Sequence, residues 1–320
     1  MIGHQTDQVG FVESMMFGKR KKETFLDNVN RVIDWRHIRR RIERTYKDSG
    51  TGRPCEDVIV LLKGLILAQW YGLGDHELES AIDDRISFTR FVGLMLTDEV
   101  PDETTFCRFR NRLKEHNLSE WIFEEINRQL SRQGLLIKKG TLVDATMVEA
   151  AVNPPTKKEK EEGKEPTDQD ASWGVKGKTA VYGYKVHAAT DPKSGLIQGL
   201  EMTTARVHDT HVFEDIIPEE AEYVLADKGY TNQERKRKMR KAGIYCGVMD
   251  KAYRNTPLTR KQKRRNNILS KIRCHIERLF AHLKMRYRYW QVRYVGLKTN
   301  KSHMFLLGVA YNIKHSLALT

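Results

Sequence analysis

The pattern of hydrophobic and polar residues divides the chain into two parts. Up to about residue 136, apolar residues recur every three or four positions, which is the spacing of amphipathic helices. Beyond that point, short apolar runs alternate with polar residues or stop abruptly at an acidic residue, as strands do. The pattern therefore predicts a helical region followed by a region of mixed strands and helices.

The helical region is predicted to hold several short helices separated by glycine, proline and capping residues. The apolar run Glu56–Tyr71 predicts a buried helix that closes near Gly72 and Gly74. Further helices are predicted within residues 25–46 and at Asp75–Asp84, Ser87–Phe91, Glu103–His116 and Ser119–Gln133. The first 22 residues end in GKRKK and lack periodicity, which predicts a flexible basic arm, although a frayed terminus is an equal reading.

The second region is predicted to hold five strands, connected by turns, helices and two polar segments. The strands are predicted at 141–150, 182–190, 196–204, 223–227 and 244–249, and the helices at 207–217, 232–242 and 303–317. Asp209 is predicted to cap the first of these helices. Residues 153–179 are polar and of mixed charge, which predicts a long mobile loop. Residues 251–267 form a predicted basic insertion.

Two of the predicted strands end in an aspartate. LVDAT runs into Asp144, YVLADKGY runs into Asp227, and the helical stretch CHIERLFAHLK carries Glu277. Phosphodiester cleavage needs an activated attacking oxygen and a stabilised leaving oxygen, which two divalent ions roughly 3.5–4 Å apart supply. Hard ions such as Mg²⁺ take carboxylate oxygens. These three acids are therefore candidate metal ligands, provided that the fold brings them together.

The helix around Glu277 has the polarity that such a role requires. At about 100° per residue, with Arg273 at zero, Lys284 falls near 20° and Glu277 near 40°, beside an apolar stripe. That stripe contains Ile272, Ile276, Leu279, Phe280 and Leu283. The alternative is a plain ion pair between Arg273 and Glu277, four residues apart. The two aspartates at strand ends favour the metal interpretation.

Charge points to a nucleic-acid partner. The formal net charge is +14, and between Lys228 and Arg293 there are 21 basic and 3 acidic residues, a local balance of 21 − 3 = +18. Such a field, placed around Asp227 and Glu277, suits counterion release from a phosphate backbone, although a solvated basic surface is the alternative. The four cysteines show no C-x-x-C spacing, so neither a zinc knuckle nor a disulfide framework is indicated.

The motifs also carry a resemblance. LVDAT, YGYKVH, VLADKGY and the R-x₃-E-x₆-K pattern of Arg273, Glu277 and Lys284 resemble the DDE transposases of bacterial insertion sequences, most closely the IS-five group. YGLGDHELESAIDDRISFTRFVGL and PDETTFCRFRNRL are similar to that group as well. One departure is Ser270, where related families often carry a tyrosine; it leaves the carboxylates untouched.

The resemblance implies an α/β fold: a ribonuclease-H-like mixed five-stranded sheet flanked by helices, preceded by an all-α DNA-binding region. In that order the first and fourth strands are neighbours, which would place Asp144 next to Asp227. It further implies that Asp144, Asp227 and Glu277 bind two Mg²⁺ (or Mn²⁺), cleave double-stranded DNA at terminal inverted repeats and join the 3′ ends to target DNA. A homodimer on DNA is expected, because two ends must be held together.

DNA contacts are expected at three places. Arg273, Lys284 and Lys185 would hold phosphate near the acids, with Lys178 ordering on DNA. The helix with Thr104, Thr105, Arg108, Arg110 and Arg112 would read a groove, unless it is only a solvated face. Arg286, Arg288 and Trp290 would stack on bases or follow phosphates, unless the aromatic residue belongs to the core.

The expected domains are a basic arm (1–22), a helical DNA-binding domain (23–136) and a catalytic domain (137–320). The longest apolar run, 58–70, contains Lys63 and Gln69 and is too short for a membrane span, so a cytoplasmic, nucleoid-associated bacterial protein is expected. Three alternatives stay open: a ribonuclease-H-like nuclease that only hydrolyses, a transposase-derived DNA-binding protein without activity, and, least favoured, an RNA-binding protein.

Overall fold

A computed structural model describes residues 24–46, 55–176, 179–254 and 256–319. The predicted arm, residues 1–22, lies outside the described residues. Contacts divide the chain into two compact units: residues up to Gln129 together with those from Phe305 onward, and residues Leu130–Met304. The predicted domain ranges, 23–136 and 137–320, stay a prediction; by contacts, the last residues of the chain group with the helical unit.

The first unit is built from helices. They are α1 (Phe25–Val32), α2 (Trp35–Glu43), α3 (Val58–Tyr71), α4 (Asp75–Asp84), α5 (Ile86–Val92), α6 (Glu103–Glu115) and α7 (Leu118–Arg132), the last of which ends just inside the second unit. Their positions agree with those predicted from the hydrophobic period, because capping residues fix the ends. Thr24 forms a capping box with Asp27, and Asp102 accepts a hydrogen bond from the backbone N–H of Thr105.

Helix α3 is the core of this unit. Nearly all of its residues are buried, which fits its continuous apolar run. Asp57 caps its start, and Gly72 ends it with φ 70°, a left-handed conformation that glycine adopts without strain. Within the described residues, no single helix is long and apolar enough to cross a membrane; only α3 and α4 taken together, across a bend of 102°, meet that test by length and composition.

The second unit contains a mixed α/β arrangement. Its strands are β1 (Gly140–Glu149), β2 (Ser172–Lys176), β3 (Thr179–Thr190), β4 (Ile197–Thr204), β5 (Tyr223–Ala226) and β6 (Tyr245–Val248). Its helices are α8 (Lys157–Glu161), α9 (Gln233–Lys241) and α10 (Arg260–Arg286), with two 3-10 helices at Asp209–His211 and Lys228–Tyr230. Helix α11 (Leu297–Ser316) begins here and continues into the first unit.

The sheet topology sets the positions of the two strand-end aspartates. Strand β3 pairs antiparallel with β1, β2 and β4, whereas β1, β5 and β6 are parallel neighbours. In the parallel register Val143 lies opposite Ala226. Asp144 and Asp227 directly follow these two residues, so they lie side by side where the parallel pairing of β1 and β5 ends, although β1 itself continues along β3 to Glu149. The expected adjacency of these two strands is therefore observed.

The polar segment 153–179 is more ordered than the sequence predicts. Its described part contains α8 and β2, and β2 makes a sixth strand where five are predicted. Asp168 is fully buried and accepts hydrogen bonds from the Tyr184 hydroxyl at 2.6 and 2.8 Å. Satisfying one carboxylate in this way anchors a chain too polar to form a core of its own. The prediction of a long mobile loop is wrong for these residues.

Two further predictions need correction. The helix expected at 207–217 is only a 3-10 turn, which His208 caps through its ring nitrogen, so Asp209 is not a helix cap. The last part of the predicted basic insertion, residues 260–267, belongs to α10, because Thr259 and Gln262 form a capping box that starts the helix there. Helix α10 then packs on β1 and β5.

Candidate active site beside β1 and β5

Asp144 is held on both of its carboxylate oxygens. It lies on β1, opposite Ala188 of β3, and its side chain is 22% exposed. Oδ1 accepts a hydrogen bond from the backbone N–H of Ala145 at 2.8 Å. Oδ2 accepts one from Nη2 of Arg273 at 3.2 Å. Asp144 is thus positioned by the sheet and by a helix that packs on the sheet.

Asp227 is the more open member of the pair. It directly follows β5 and precedes the 3-10 turn Lys228–Tyr230, but its side chain does not cap that turn. Its side chain is 40% exposed, and Oδ1 lies 3.5 Å from Nη1 of Arg273. This carboxylate therefore offers oxygen to solvent while it shares a cation with Asp144.

Arg273 joins the two aspartates. Its side chain on α10 is 9% exposed, and Nη1 also lies 3.5 Å from the Met249 sulfur. The planar guanidinium presents several N–H groups in a fixed fork, so one side chain contacts two carboxylates. Its Nε is buried and has no hydrogen-bond partner among the described residues. The expected role of Arg273 as a phosphate ligand stays a prediction; in this arrangement Arg273 is an internal partner of both acids.

Glu277 lies one helical turn further along α10, and its residue is exposed. Across the part of the chain that the structure describes, no group of three or more His, Cys, Asp or Glu side chains is arranged to hold a metal ion. The structure therefore brings together Asp144 and Asp227, and leaves Glu277 outside a preformed cluster.

Tyr230 and Asp209 complete the surroundings of the pair. Tyr230 is 2% exposed, and its hydroxyl has no hydrogen-bond partner among the described residues. Burial, followed by the charges of Asp209, Asp144 and Asp227, raises the pKa of Tyr230 well above its ordinary value, so it stays a neutral O–H donor. Asp209 Oδ1 lies 2.7 Å from the Lys185 ammonium, close enough for an ion pair, although its alignment is poor for a hydrogen bond.

These residues fit a divalent cation at the aspartate pair. Two partly exposed carboxylates from adjacent strands already share one positive charge, and carboxylate oxygen is the donor that Mg²⁺ and Mn²⁺ prefer. A buried tyrosine hydroxyl without a partner among the described residues lies within electrostatic reach of the same oxygens. Asp144 and Asp227 would hold such an ion, and Glu277 is the nearest acid on α10 to complete its ligands.

The lysines predicted to hold phosphate near the acids are engaged inside the protein. Lys284 donates to the Met147 carbonyl at 3.0 Å. Lys185 is 9% exposed, donates to the Val207 carbonyl at 2.6 Å and pairs with Asp209. Lys178 lies outside the described residues. Neither described lysine is presented to solvent in the way that a phosphate ligand at this site would need.

The residues after Lys284 are presented to solvent. Arg286 and Arg288 are exposed, and Trp290 is 52% exposed, while its carbonyl accepts a hydrogen bond from the Glu149 N–H at the end of β1. The core position considered for this tryptophan is thereby excluded. Arg288 has φ 54°, a left-handed conformation that is rare for a residue with a side chain and that marks functional positions.

The arginines predicted to read a groove from α6 divide into two kinds. Arg110 is buried and pairs with Asp75, and Arg112 donates to the Thr45 carbonyl at 2.8 Å with its guanidinium 3.9 Å from the Tyr46 ring centroid. Arg108 is exposed. At the start of the helix, Thr104 is exposed with its hydroxyl bonded to Asp102, and the Thr105 N–H donates to the same carboxylate.

Two residues of this site escape the sequence analysis. Asp209 is interpreted there as a helix cap, because Asp after a loop is a common N-cap, but its partner Lys185 is 24 residues away in sequence (209 − 185 = 24). Tyr230 follows Asp227 by three residues within VLADKGY, and one 3-10 turn returns it to the aspartate side. That spacing is the only signal the sequence offers for it.

The second unit thus presents paired carboxylates where the parallel pairing of β1 and β5 ends, in a protein whose basic charge suits nucleic acid. Two protein families match this chain: "Transposase DDE domain" over residues 136–313, and "Transposase domain (DUF772)" over residues 15–112. The first match spans more than half of the chain, so the protein belongs to the DDE transposase family. Membership implies nuclease or transposition activity in general terms, and members generally use divalent metal ions.

One solved structure is similar at a low level. It is the cryo-EM structure of the piggyBac transposase synaptic complex with hairpin DNA, with a TM-score of 0.33 and 11% sequence identity, covering 73% of this chain and 49% of that one. The present chain spans about half the length of that protein. A similarity this weak does not bear on the details of the fold or the site.

Proposed function

We propose that this protein is a DNA transposase of the IS-five group that cleaves at the terminal inverted repeats of an insertion sequence and joins the freed 3′ ends to target DNA. The observation that carries the proposal is the convergence of Asp144 and Asp227 on Arg273. The strand order β4, β3, β1, β5, β6 supports a ribonuclease-H-like catalytic domain, since β1 is antiparallel to β3 and parallel to β5, the strand that precedes Asp227.

The site residues divide the work. Two Mg²⁺ (or Mn²⁺), when bound, supply activation of the attacking oxygen and stabilisation of the leaving oxygen. Asp144, fixed by the Ala145 N–H and by Arg273, serves as the rigid ligand, and Asp227 serves as the open one. Glu277 completes the acidic set from α10, where its exposure leaves it able to turn toward the aspartates. Tyr230 contributes a neutral O–H donor beside them.

The DNA partner is proposed to contact exposed cations outside the aspartate pair. Arg286 is the last residue of α10, and Arg288 and Trp290 follow that helix. Arg108 projects from α6 in the other unit. Arginine and tryptophan together suit phosphate contacts and stacking on unpaired bases. A homodimer would hold two DNA ends, and a bacterial cytoplasm with nucleoid association is the compartment in which such a protein would act.

The experiment measures the Mg²⁺-dependent cleavage, by the full chain, of a DNA substrate that carries a terminal inverted repeat of the insertion sequence. Asp144→Asn, Asp227→Asn and Glu277→Gln should each lower cleavage at least about 100-fold, while DNA affinity stays within severalfold, because the changes remove only ligand charge. Asp250→Asn is the matched control: this acid pairs with Arg265 and Lys236 in the same unit but does not touch the aspartate pair, so cleavage should persist.

Three outcomes would change the conclusion. Full cleavage by the Asp144 or Asp227 variant would remove the aspartate pair from the chemistry and refute the proposal. Cleavage without joining of pre-cut ends to a plasmid would instead identify a hydrolytic nuclease of the same fold. Metal-independent DNA binding with no cleavage in any protein, wild type included, would identify a DNA-binding protein derived from a transposase.

A further inference from the structure

Arg273 occupies an unexpected position for a residue predicted to hold DNA phosphate. Its side chain is 9% exposed, and its terminal nitrogens lie 3.2 Å from Asp144 and 3.5 Å from Asp227. A positive charge at those distances sits where a cation shared by the two carboxylates would also sit. The protein therefore carries its own counter-cation for the acidic pair.

The Asp144 carboxylate already interacts with one cation, the Arg273 guanidinium. Its Oδ1 is committed to the Ala145 N–H, and its Oδ2 to the guanidinium. Asp227 differs, since its side chain is 40% exposed and does not cap the following turn. A divalent cation can thus approach Asp227 directly, whereas at Oδ2 of Asp144 it would meet the positive charge of the Arg273 guanidinium.

The hold of Arg273 on the pair is incomplete. Its Nε is buried without a hydrogen-bond partner among the described residues, and one of its terminal nitrogens faces the weak acceptor sulfur of Met249. A buried donor without a partner raises the free energy of that arrangement. The guanidinium is therefore expected to leave this position more readily once another cation neutralises the two aspartates.

We infer that Arg273 is a positioning residue that holds Asp144 and Asp227 together in the metal-free protein and competes with the first divalent cation for Asp144. The inference rests on the proposed function, because it takes use of a divalent cation at this pair as given. In this role Arg273 keeps two like charges together before metal and DNA arrive, and it weakens metal binding until the guanidinium is released.

Direct titration of the full-length protein with Mn²⁺ alone, followed by electron paramagnetic resonance of the free ion, measures this competition without DNA or turnover. Arg273→Gln should bind Mn²⁺ about tenfold more tightly than wild type, because the competing charge is removed. Arg273→Lys should fall between them, since one ammonium is a point charge that does not span both acids. The matched control is Arg265→Gln, which removes an arginine from the same helix that pairs with Asp250 instead, and should leave Mn²⁺ affinity unchanged.

Thermal unfolding gives a second readout. Without metal, Arg273→Gln should melt at a lower temperature than wild type, and Mn²⁺ should restore more of that loss than it restores for Arg265→Gln. Adding Asp144→Asn and Asp227→Asn to Arg273→Gln should abolish the tight Mn²⁺ binding. Retained binding in that triple variant would place the ion elsewhere and overturn the inference.

Equal or weaker Mn²⁺ binding by Arg273→Gln would also overturn it, since the arginine would then support the metal site and not oppose it. This failure is separable from failure of the proposed function. If the aspartate variants lose cleavage while Arg273→Gln leaves Mn²⁺ affinity unchanged, the transposase proposal stands and the competition is wrong. If the aspartate variants keep cleavage, the proposed function fails, whatever the Mn²⁺ titrations show.

Discussion

The aspartate pair of the second unit and the arginine row of α6, which consists of Arg108, Arg110 and Arg112, are both predicted from short sequence patterns. The two groups differ in the structure. Asp144 and Asp227 converge as the strand pattern predicts. Of the three arginines on α6, Arg110 and Arg112 turn to partners inside their own unit, and only Arg108 is exposed.

The difference has a physical basis in side-chain length. An aspartate has a short side chain, so its position follows directly from the backbone, and the backbone at a strand end is fixed by the register of the sheet. An arginine has a long flexible stem that buries along apolar surface and brings its charge to partners several ångströms from its own backbone. Strand-end acids are therefore more predictable from sequence than helix-borne cations.

The largest stability effect is expected along the arginine row. Arg110→Ala should lower the free energy of unfolding by about 2–3 kcal/mol, because it leaves Asp75 without its buried partner. Arg112→Ala should cost about 1 kcal/mol, because the hydrogen bond to the carbonyl and the interaction with the tyrosine ring disappear. Arg108→Ala should stay within about 0.5 kcal/mol. Urea denaturation of the three variants measures this gradient.

The same series sharpens the comparison when DNA binding is measured at two salt concentrations. Arg108→Ala should weaken affinity and reduce its salt dependence, as the loss of one phosphate contact does. Equal stability losses for all three variants would show that the arginines are not divided as the structure indicates.

A second prediction concerns Lys63 in α3, another cation used inside the helical unit. It is 8% exposed, and its ammonium lies 5.3 and 5.5 Å from the Trp35 and Phe91 ring centroids. Burial lowers the pKa of Lys63 from 10.5 to about 8. The unfolded chain then binds more protons than the folded one between those pH values, so stability rises with pH across that window.

At pH 7 both states are protonated and the full cost of the buried charge is present. Lys63→Met should therefore stabilise the protein at pH 7 by on the order of 2 kcal/mol, although the variant no longer has the attraction between the ammonium and the two rings, which offsets part of the gain. The gain should shrink as the pH approaches 10.5. Thermal unfolding of both proteins from pH 7 to 10 measures it, and a pH-independent difference would contradict the assignment.

The smallest stability change is expected at Arg288, where a substitution should weaken DNA binding without lowering the stability of the fold. Its φ of 54° is strained for arginine and easy for glycine. Arg288→Gly should leave stability unchanged or raise it by up to about 1 kcal/mol, while DNA affinity falls severalfold. Arg254→Gly serves as the control for general charge loss, because it removes an exposed arginine of the same unit that lies outside residues 286–290. A loss of stability at Arg288 would mean that its side chain holds the fold and does not face DNA.

Much of the backbone could be predicted because local rules agree with the final packing. Helix α4 has the predicted bounds, and α3 ends at the predicted glycine. Two of the misses share a cause, since each depends on a distant partner. Asp168 is anchored by Tyr184, and Asp209 is drawn to Lys185, in both cases across the chain and not along it. The local preference of a segment for helix, strand or turn carries no information about such contacts.

The sequence by itself determined most of the helix boundaries of the first unit, the basic charge and the identity of the acids that can bind metal, because these follow from residue type and from spacing along the chain. Only the tertiary structure decided which cation the acids face. The packing of α10 on β1 and β5 placed Arg273 between Asp144 and Asp227 and left Glu277 at the surface. A helix position gives the direction of a side chain, but its charge partner depends on which sheet the helix packs against.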